Sequence, residues 1–289
     1  MPSRRQALKS LMVGAAALST APAEMFGQMP LNDKKWKGNI RHSVCRWCFD
    51  DVPLEEFCVF LKKLGIGAID LVGPKDWNTL KKHGLYSSMC NGAEIGLTKG
   101  WNDPKYHDQL AQNYLDMIPQ VSKAGYRNLI CFSGNRNGMD DETGLRNCVA
   151  GLQKILPLAE RSGVVICMEL FNSKVDHKDY MCDKSAWGVE LCKRLGSDNF
   201  KLLYDIYHMQ INEGDVIRTI RDFHPYFAHY HTAGVPGRNE IDDTQELFYP
   251  AIMRAIVETG FQGYVAQEFI PKASDRLESL RKGFEICDV

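Results

Sequence analysis

Four residues in this sequence share a placement that suits metal chemistry. Glu169, Asp205, His231 and Glu268 stand at the ends of the apolar runs Ile166-Cys167-Met168-Glu169, Leu202-Leu203-Tyr204-Asp205, Ala228-His229-Tyr230-His231 and Tyr264-Val265-Ala266-Gln267-Glu268. A carboxylate at the end of a buried strand is costly unless it is paired or bound to a metal. Three carboxylates meeting at one point repel one another, and a divalent cation removes that conflict. The donor set is rich in oxygen with one imidazole. That suits Mn²⁺ or Mg²⁺ and leaves Co²⁺ or Zn²⁺ open. Structural zinc sites lean on cysteine instead. Read alone, each residue is an ordinary buried polar group; four in register on successive strands point to one metal centre.

Other polar residues follow the same strand ends. His208 lies just beyond Asp205, in Asp205-Ile206-Tyr207-His208. After His231, the loop Thr232-Ala233-Gly234-Val235-Pro236-Gly237 leads to Arg238, whose planar guanidinium suits bidentate binding of a substrate carboxylate. Asn91, Asn172 and His177 also follow strand ends, and each reads equally well as substrate-binding or as an ordinary loop residue. Trp47 and Trp101 are candidates for the pocket wall.

The elements that position these residues alternate strand and helix from Ile40 onward. Strand-like runs fall at 41–49, 68–73, 86–91, 128–133, 164–170, 200–206, 227–231 and 264–269. The segment after the first run has apolar residues at Leu54, Phe57, Cys58, Leu61 and Leu64, a helical period, and Gly65 stops it. A helix is expected over 143–161, with Pro157 a source of a kink. Eight such pairs without a break predict an α/β fold, a single-domain (β/α)8 TIM barrel over residues 38–289. The near-continuous apolar strands fit parallel strands covered on both faces. An open doubly wound sheet would carry a Gly-rich fingerprint after the first strand, and none is present. In a barrel the active site forms at the C-terminal strand ends, so the four ligands on strands five to eight would converge.

Residues 1–37 read differently. Ser3-Arg4-Arg5-Gln6-Ala7-Leu8-Lys9 is a twin-arginine pattern, residues 11–18 are apolar and small, and Ala21-Pro22-Ala23 is an A-x-A cleavage site. This is an export signal in pattern, which predicts an exported, periplasmic protein with no stable membrane insertion after signal removal. The chain has 289 residues, 44% hydrophobic, and a net charge of -1, so it can bury a large core and shows no electrostatic footprint for nucleic acid. Its 10 cysteines are scattered, several in apolar runs, and read as small buried thiols rather than a disulfide framework. Cys45-Arg46-Trp47-Cys48 has C-x-x-C spacing but no second pair.

Met168-Glu169-Leu170, Asp205-Ile206-Tyr207-His208-Met209-Gln210, His229-Tyr230-His231 through Arg238, and Gln267-Glu268-Phe269 resemble the xylose-isomerase-like TIM-barrel superfamily, and within it the hydroxypyruvate isomerase group. The resemblance implies one divalent metal held by Glu169, Asp205, His231 and Glu268, with Glu169 and Glu268 as the acid/base pair. In some hydroxypyruvate isomerases a Gln takes the third ligand place; His231 here matches the related ketose 3-epimerases. The implied reaction interconverts hydroxypyruvate and tartronate semialdehyde by proton transfer through a metal-stabilised enediolate. His208, Arg238, Asn91, Asn172 and His177 would then hold the substrate. The partners expected are a small hydroxy-carbonyl or sugar substrate and further copies of the chain as a homo-oligomer. The alternatives are a ketose 3-epimerase or other sugar isomerase using the same site, and a sugar-binding protein with no chemistry.

Overall fold

A computed structural model describes residues 35–289. The export signal expected over residues 1–37 thus lies almost wholly outside the described residues. Its last part, 35–37, belongs with the barrel. Trp36 Nε1 donates to the Leu64 carbonyl at 2.5 Å, and the Lys37 backbone N–H donates to Asp288 Oδ1 at 2.9 Å.

The eight strands are β1 Arg41–Val44, β2 Ala68–Val72, β3 Tyr86–Cys90, β4 Asn128–Cys131, β5 Val165–Glu169, β6 Phe200–Asp205, β7 Phe227–Thr232 and β8 Tyr264–Gln267. The helices are α1 Leu54–Lys63, α2 Pro74–Lys82, α3 His107–Ala124, α4 Asp141–Leu152, α5 Leu156–Ser162, α6 Ser185–Leu195, α7 Ile206–Asn212, α8 Val216–Phe223, α9 Tyr249–Glu258 and α10 Arg276–Cys287. All strand pairs are parallel, in the order β1-β8-β7-β6-β5-β4-β3-β2, and a parallel bridge between Cys45 and Asp70 joins the two ends. This is the expected TIM barrel. Gly125, Gly163 and Gly196 adopt left-handed φ at the ends of α3, α5 and α6, where a side chain would be strained.

Three local departures from the sequence reading have physical causes. The first strand stops at Val44, and Arg46–Phe49 turns as a 3₁₀ helix. The Arg46 guanidinium bonds the carbonyls of Phe49 and Val52, which favours the turn over extension. The helix expected over 143–161 is two helices, because Pro157 has no N–H and its ring clashes with the carbonyl four residues earlier. The sixth strand ends at Asp205, and α7 begins at once. Asp205 Oδ1 accepts from the His208 backbone N–H at 2.9 Å, an N-cap that starts the helix.

The ten cysteines are all free and all buried. No helix among the described residues is long and apolar enough to cross a membrane.

At the other end of the barrel, His42 of β1 is buried between Trp36 and Phe284, with ring centroids 5.5 and 5.6 Å away. Neither ring nitrogen has a hydrogen-bond partner. Burial pushes its pKa from the usual 6.5 down to about 4, opposed by Asp288. Between those values the unfolded chain binds a proton that the folded chain refuses. The His42 contribution is therefore fully present above about pH 6.5 and lost as pH falls towards 4. The loss amounts to about 3 kcal/mol. His42→Phe keeps the ring packing and removes the titration. The expected result is a larger gain in Tm over wild type at about pH 4.5 than at about pH 8. An equal gain at both would contradict this account.

Candidate metal centre and substrate pocket

Strand register brings the four ligand-type residues together. Asp205 pairs with His231 across β6 and β7, and Glu169 ends β5 next door. Glu268 follows β8, its backbone N–H donating to the Thr232 carbonyl at 2.9 Å. All four residues are at most 2% exposed. One donor atom from each lies within 4.8 Å of the others. His231 Nδ1 is the hub, 2.9 Å from Glu268 Oε2, 3.2 Å from Glu169 Oε1 and 3.9 Å from Asp205 Oδ2. The Glu169 contact is out of line, which leaves that oxygen buried without a hydrogen bond.

Electrostatics separate the carboxyls. Burial, reinforced by the charge of Glu268, pushes Glu169 up to about 7 against the pull of His231. Burial, and then Glu268, push Asp205 well above the carboxylate range. Burial works on Glu268 in the same direction, but Arg238 and His231 outweigh it and hold it well below. One guanidinium and one imidazole, even protonated, cannot balance three ionised carboxylates. The orphaned Glu169 oxygen, the three acids and the imidazole therefore fit a divalent cation, and this donor set serves Mn²⁺, Mg²⁺, Co²⁺ or Zn²⁺ alike.

Arg238 reaches the site from the loop after β7. Its Nη2 lies 2.6 Å from Glu268 Oε2 and 3.8 Å from Asp205 Oδ2. The guanidinium stacks over Trp47 and Tyr207, 5.1 and 5.5 Å from the ring centroids. Arg238 holds a left-handed φ of 59°, which costs roughly 1–3 kcal/mol in a non-glycine residue. Two backbone bonds fix it there, its N–H to Gly234 and its carbonyl accepting from Ile270.

His208 is fully buried, and its tautomer follows from its neighbours. Asn172 Oδ1 accepts from the N–H groups of Val175 and Asp176, so Nδ2 of Asn172 is the atom that donates to His208 Nδ1, at 2.6 Å. The proton on this imidazole is therefore on Nε2, 3.8 Å from Asp205 Oδ2 and otherwise unpartnered. Burial, with Arg238 adding, pushes the His208 pKa well below normal and keeps the ring neutral. Asn172 is fully buried and bonds His208 rather than facing the cavity.

A cavity of about 410 Å³ opens over the centre. Glu169, Glu268, Arg238 and His177 line it together with the apolar Leu71, Ile130, Phe132 and Phe171. Asn91, Glu94 and Leu97 enter from the loop after β3. That loop is stitched to the exit of β4 by Asn102 N–H donating to the Ser133 carbonyl at 2.9 Å. The approach is so close that a Cβ on Gly100 would lie 2.2 Å from the Ser133 backbone. Trp47 lines the cavity and donates from Nε1 to Glu268 Oε1 at 2.9 Å. Trp101 does not line it; it is fully buried beneath the loop against Tyr114.

Sequence reasoning missed Glu94, which no pattern marks. It also missed Asp70 of β2, fully buried beside His231. Asp70 was findable, since Ala68-Ile69-Asp70-Leu71-Val72 is another apolar run interrupted by an acid.

Comparison with known proteins agrees with this architecture. The profile of the xylose isomerase-like TIM barrel family matches residues 77–287. A human protein named putative hydroxypyruvate isomerase is 31% identical over 113 residues, covering 39% of this chain and 40% of that one. The 2-oxo-tetronate isomerase of Cupriavidus necator is 34% identical over 115 residues, covering 40% and 44%. The matched stretches thus span less than half the length of these curated relatives. The crystal structure of AP endonuclease, family 2 from Brucella melitensis superposes with a TM-score of 0.75 at 24% identity, covering 83% of this chain and 96% of that one. With its closed ring of parallel strands and a family profile matched over most of its length, the chain belongs to the xylose isomerase-like TIM barrel family.

Proposed function

We propose that the protein is a divalent-metal-dependent isomerase of small hydroxy-carbonyl acids, interconverting hydroxypyruvate and tartronate semialdehyde. The observation that carries this reading is the convergence of Glu169, Asp205, His231 and Glu268 beneath a cavity that both glutamates and Arg238 line. The names of the human and Cupriavidus relatives support the same class of reaction. A cation held by those four residues would supply Lewis-acid charge beside the substrate oxygens.

The chain's own groups do the rest. One of Glu169 and Glu268 takes a proton from the hydroxymethyl carbon of hydroxypyruvate, and a proton is returned to the neighbouring carbonyl carbon. The hydroxyl proton passes to the other oxygen, so the reaction is an isomerisation with no net loss. His208, fully buried behind Phe171 and outside the cavity wall, keeps a neutral ring with its Nε2 3.8 Å from Asp205 Oδ2. Arg238 binds the carboxylate with two parallel N–H bonds. Phe132 and Phe171 keep water from the reacting carbons.

A second reading, a ketose 3-epimerase, is favoured by one observation. The cavity of about 410 Å³ is roomier than a three-carbon acid needs, and Glu94 adds a hydroxyl acceptor to its wall. Arg238→Met separates the two readings. On hydroxypyruvate, kcat/KM is expected to fall by about 10–100-fold more than on any neutral ketose the protein turns over. Both substrates meet the same altered Glu268, so the ratio isolates carboxylate recognition. An equal loss on both, or a wild type that turns over ketoses and not hydroxypyruvate, would favour the epimerase.

A further inference from the structure

Beneath the four-residue centre lies a second buried polar layer that the proposed chemistry does not use. Asp70 of β2 is its middle, 0% exposed. Its Oδ1 lies 3.3 Å from His231 Nε2 and 3.8 Å from Cys45 Sγ. Its Oδ2 accepts from Ser88 Oγ at 2.7 Å and lies 2.7 Å from His229 Nε2. Ser88 Oγ in turn lies 2.5 Å from Ser43 Oγ. His229 and His231 share a face of β7, two residues apart, so one carboxylate reaches both rings.

We infer that Asp70 is the positioning residue of the metal centre: it accepts the Nε2–H of His231 and so turns the Nδ1 lone pair towards Glu169, Asp205 and Glu268. A neutral imidazole has one donor and one acceptor nitrogen. His231 Nδ1 faces three carboxylates at 2.9 to 3.9 Å, an environment that by itself favours a proton on Nδ1 and would spoil it as a ligand. An anionic acceptor at Nε2 favours the opposite tautomer. Cys45 Sγ, 3.7 Å from the same nitrogen, is a much weaker acceptor. Ser88 Oγ donates to the other oxygen of Asp70, which His229 Nε2 approaches at 2.7 Å without hydrogen-bond geometry, and Oδ1 is left to His231. A ring nitrogen bound to a carboxylate on the far side from a metal is a general way of fixing a histidine ligand and raising its basicity.

The same atoms allow a rival arrangement. Cys45 Sγ, Asp70 Oδ1 and His231 Nε2 lie 3.3, 3.7 and 3.8 Å apart, separations that also suit the edges of a tetrahedral zinc site. That site would make His231 a doubly deprotonated bridge between two cations. A protonated Nε2 needs no such step, so the positioning role is the one the geometry favours.

The inference rests on the metal reading above, and the test separates the two. Binding of Mn²⁺ to apo protein is measured by calorimetry for wild type and Asp70→Asn. The amide can present N–H to His231 Nε2 and impose the wrong tautomer. Affinity is expected to fall by about 10–100-fold while the wild type binds one ion per chain. Should Asp70→Asn fail to fold, long-range ¹H–¹⁵N NMR of Zn²⁺-loaded wild type decides alone: Nε2 of His231 is expected to be protonated and Nδ1 metal-bound. An Asp70→Asn affinity within about threefold of wild type, an unprotonated Nε2, or two ions per chain overturns the positioning role and leaves the metal reading standing. No ion bound by wild type overturns both.

Discussion

Glu268→Gln is expected to lower kcat by about 10³-fold or more while the protein melts within a few degrees of wild type. The substitution is isosteric, so packing against β7 and β8 survives. Its electrostatics do not. Glu268 accepts from Trp47 on Oε1 and from Arg238 on Oε2, with His231 Nδ1 2.9 Å from the same Oε2. An amide must turn its NH₂ towards one of those sides and set donor against donor. It also loses the ability to carry a proton, the role assigned to this side chain. Arg238 would be left without its nearest carboxylate in a buried place, and leaving a buried charge unpaired is costly. The checks are steady-state turnover and a thermal melt on the same preparation. A near-normal kcat would remove Glu268 from the chemistry; a collapsed melt would mean that the residue is structural first.

Removing the cation is expected to have an effect as large. Dialysis against a chelator should bring turnover to background, and Mn²⁺ should restore it. Stripped of a cation, the centre holds three buried carboxyls against one guanidinium and one imidazole, and two of the three are pushed up towards the protonated state. The bound ion also stabilises the fold by mass action, by about 2.7 kcal/mol at a hundredfold excess over Kd. For a chain of this size that corresponds to a rise in Tm of roughly 5–10 °C. Full turnover by protein shown by elemental analysis to be free of metal would contradict the reading.

The four ligand-type residues were legible because each interrupts an apolar run at a point where the barrel rhythm places a strand end. Eight repeats fixed the ring, and the ring fixed which ends are neighbours. What was not legible depends on contacts between distant segments. Trp47 reads as part of a strand, and only the bonds of Arg46 to nearby carbonyls turn it outward over Glu268. Asp205 reads as the end of a strand, since Ile206 and Tyr207 continue the apolar pattern; that it also caps α7 emerges from the His208 N–H. Asn172 reads equally well as a substrate ligand or a loop residue, and the backbone of Val175 and Asp176 orients its amide towards His208. Trp101 looked like a pocket wall, and the contact between Gly100 and Ser133 draws its loop down onto the core. Asp70 carries the same signal as the four, but on β2, across the ring from β5 to β8 in strand order, and only the fold shows its side chain crossing the interior to His231.

The central claim is that the two glutamates move a proton on and off carbon. The measurement that meets it most directly is solvent deuterium incorporation. Mn²⁺-loaded protein in heavy water is incubated with hydroxypyruvate and with a set of ketoses, and the recovered substrate and product are read by NMR and mass spectrometry. The account predicts deuterium at the carbon next to the carbonyl with wild type and none above background with Glu268→Gln. Binding of these compounds with no exchange at carbon would contradict it and leave a sugar-binding protein built on an isomerase frame.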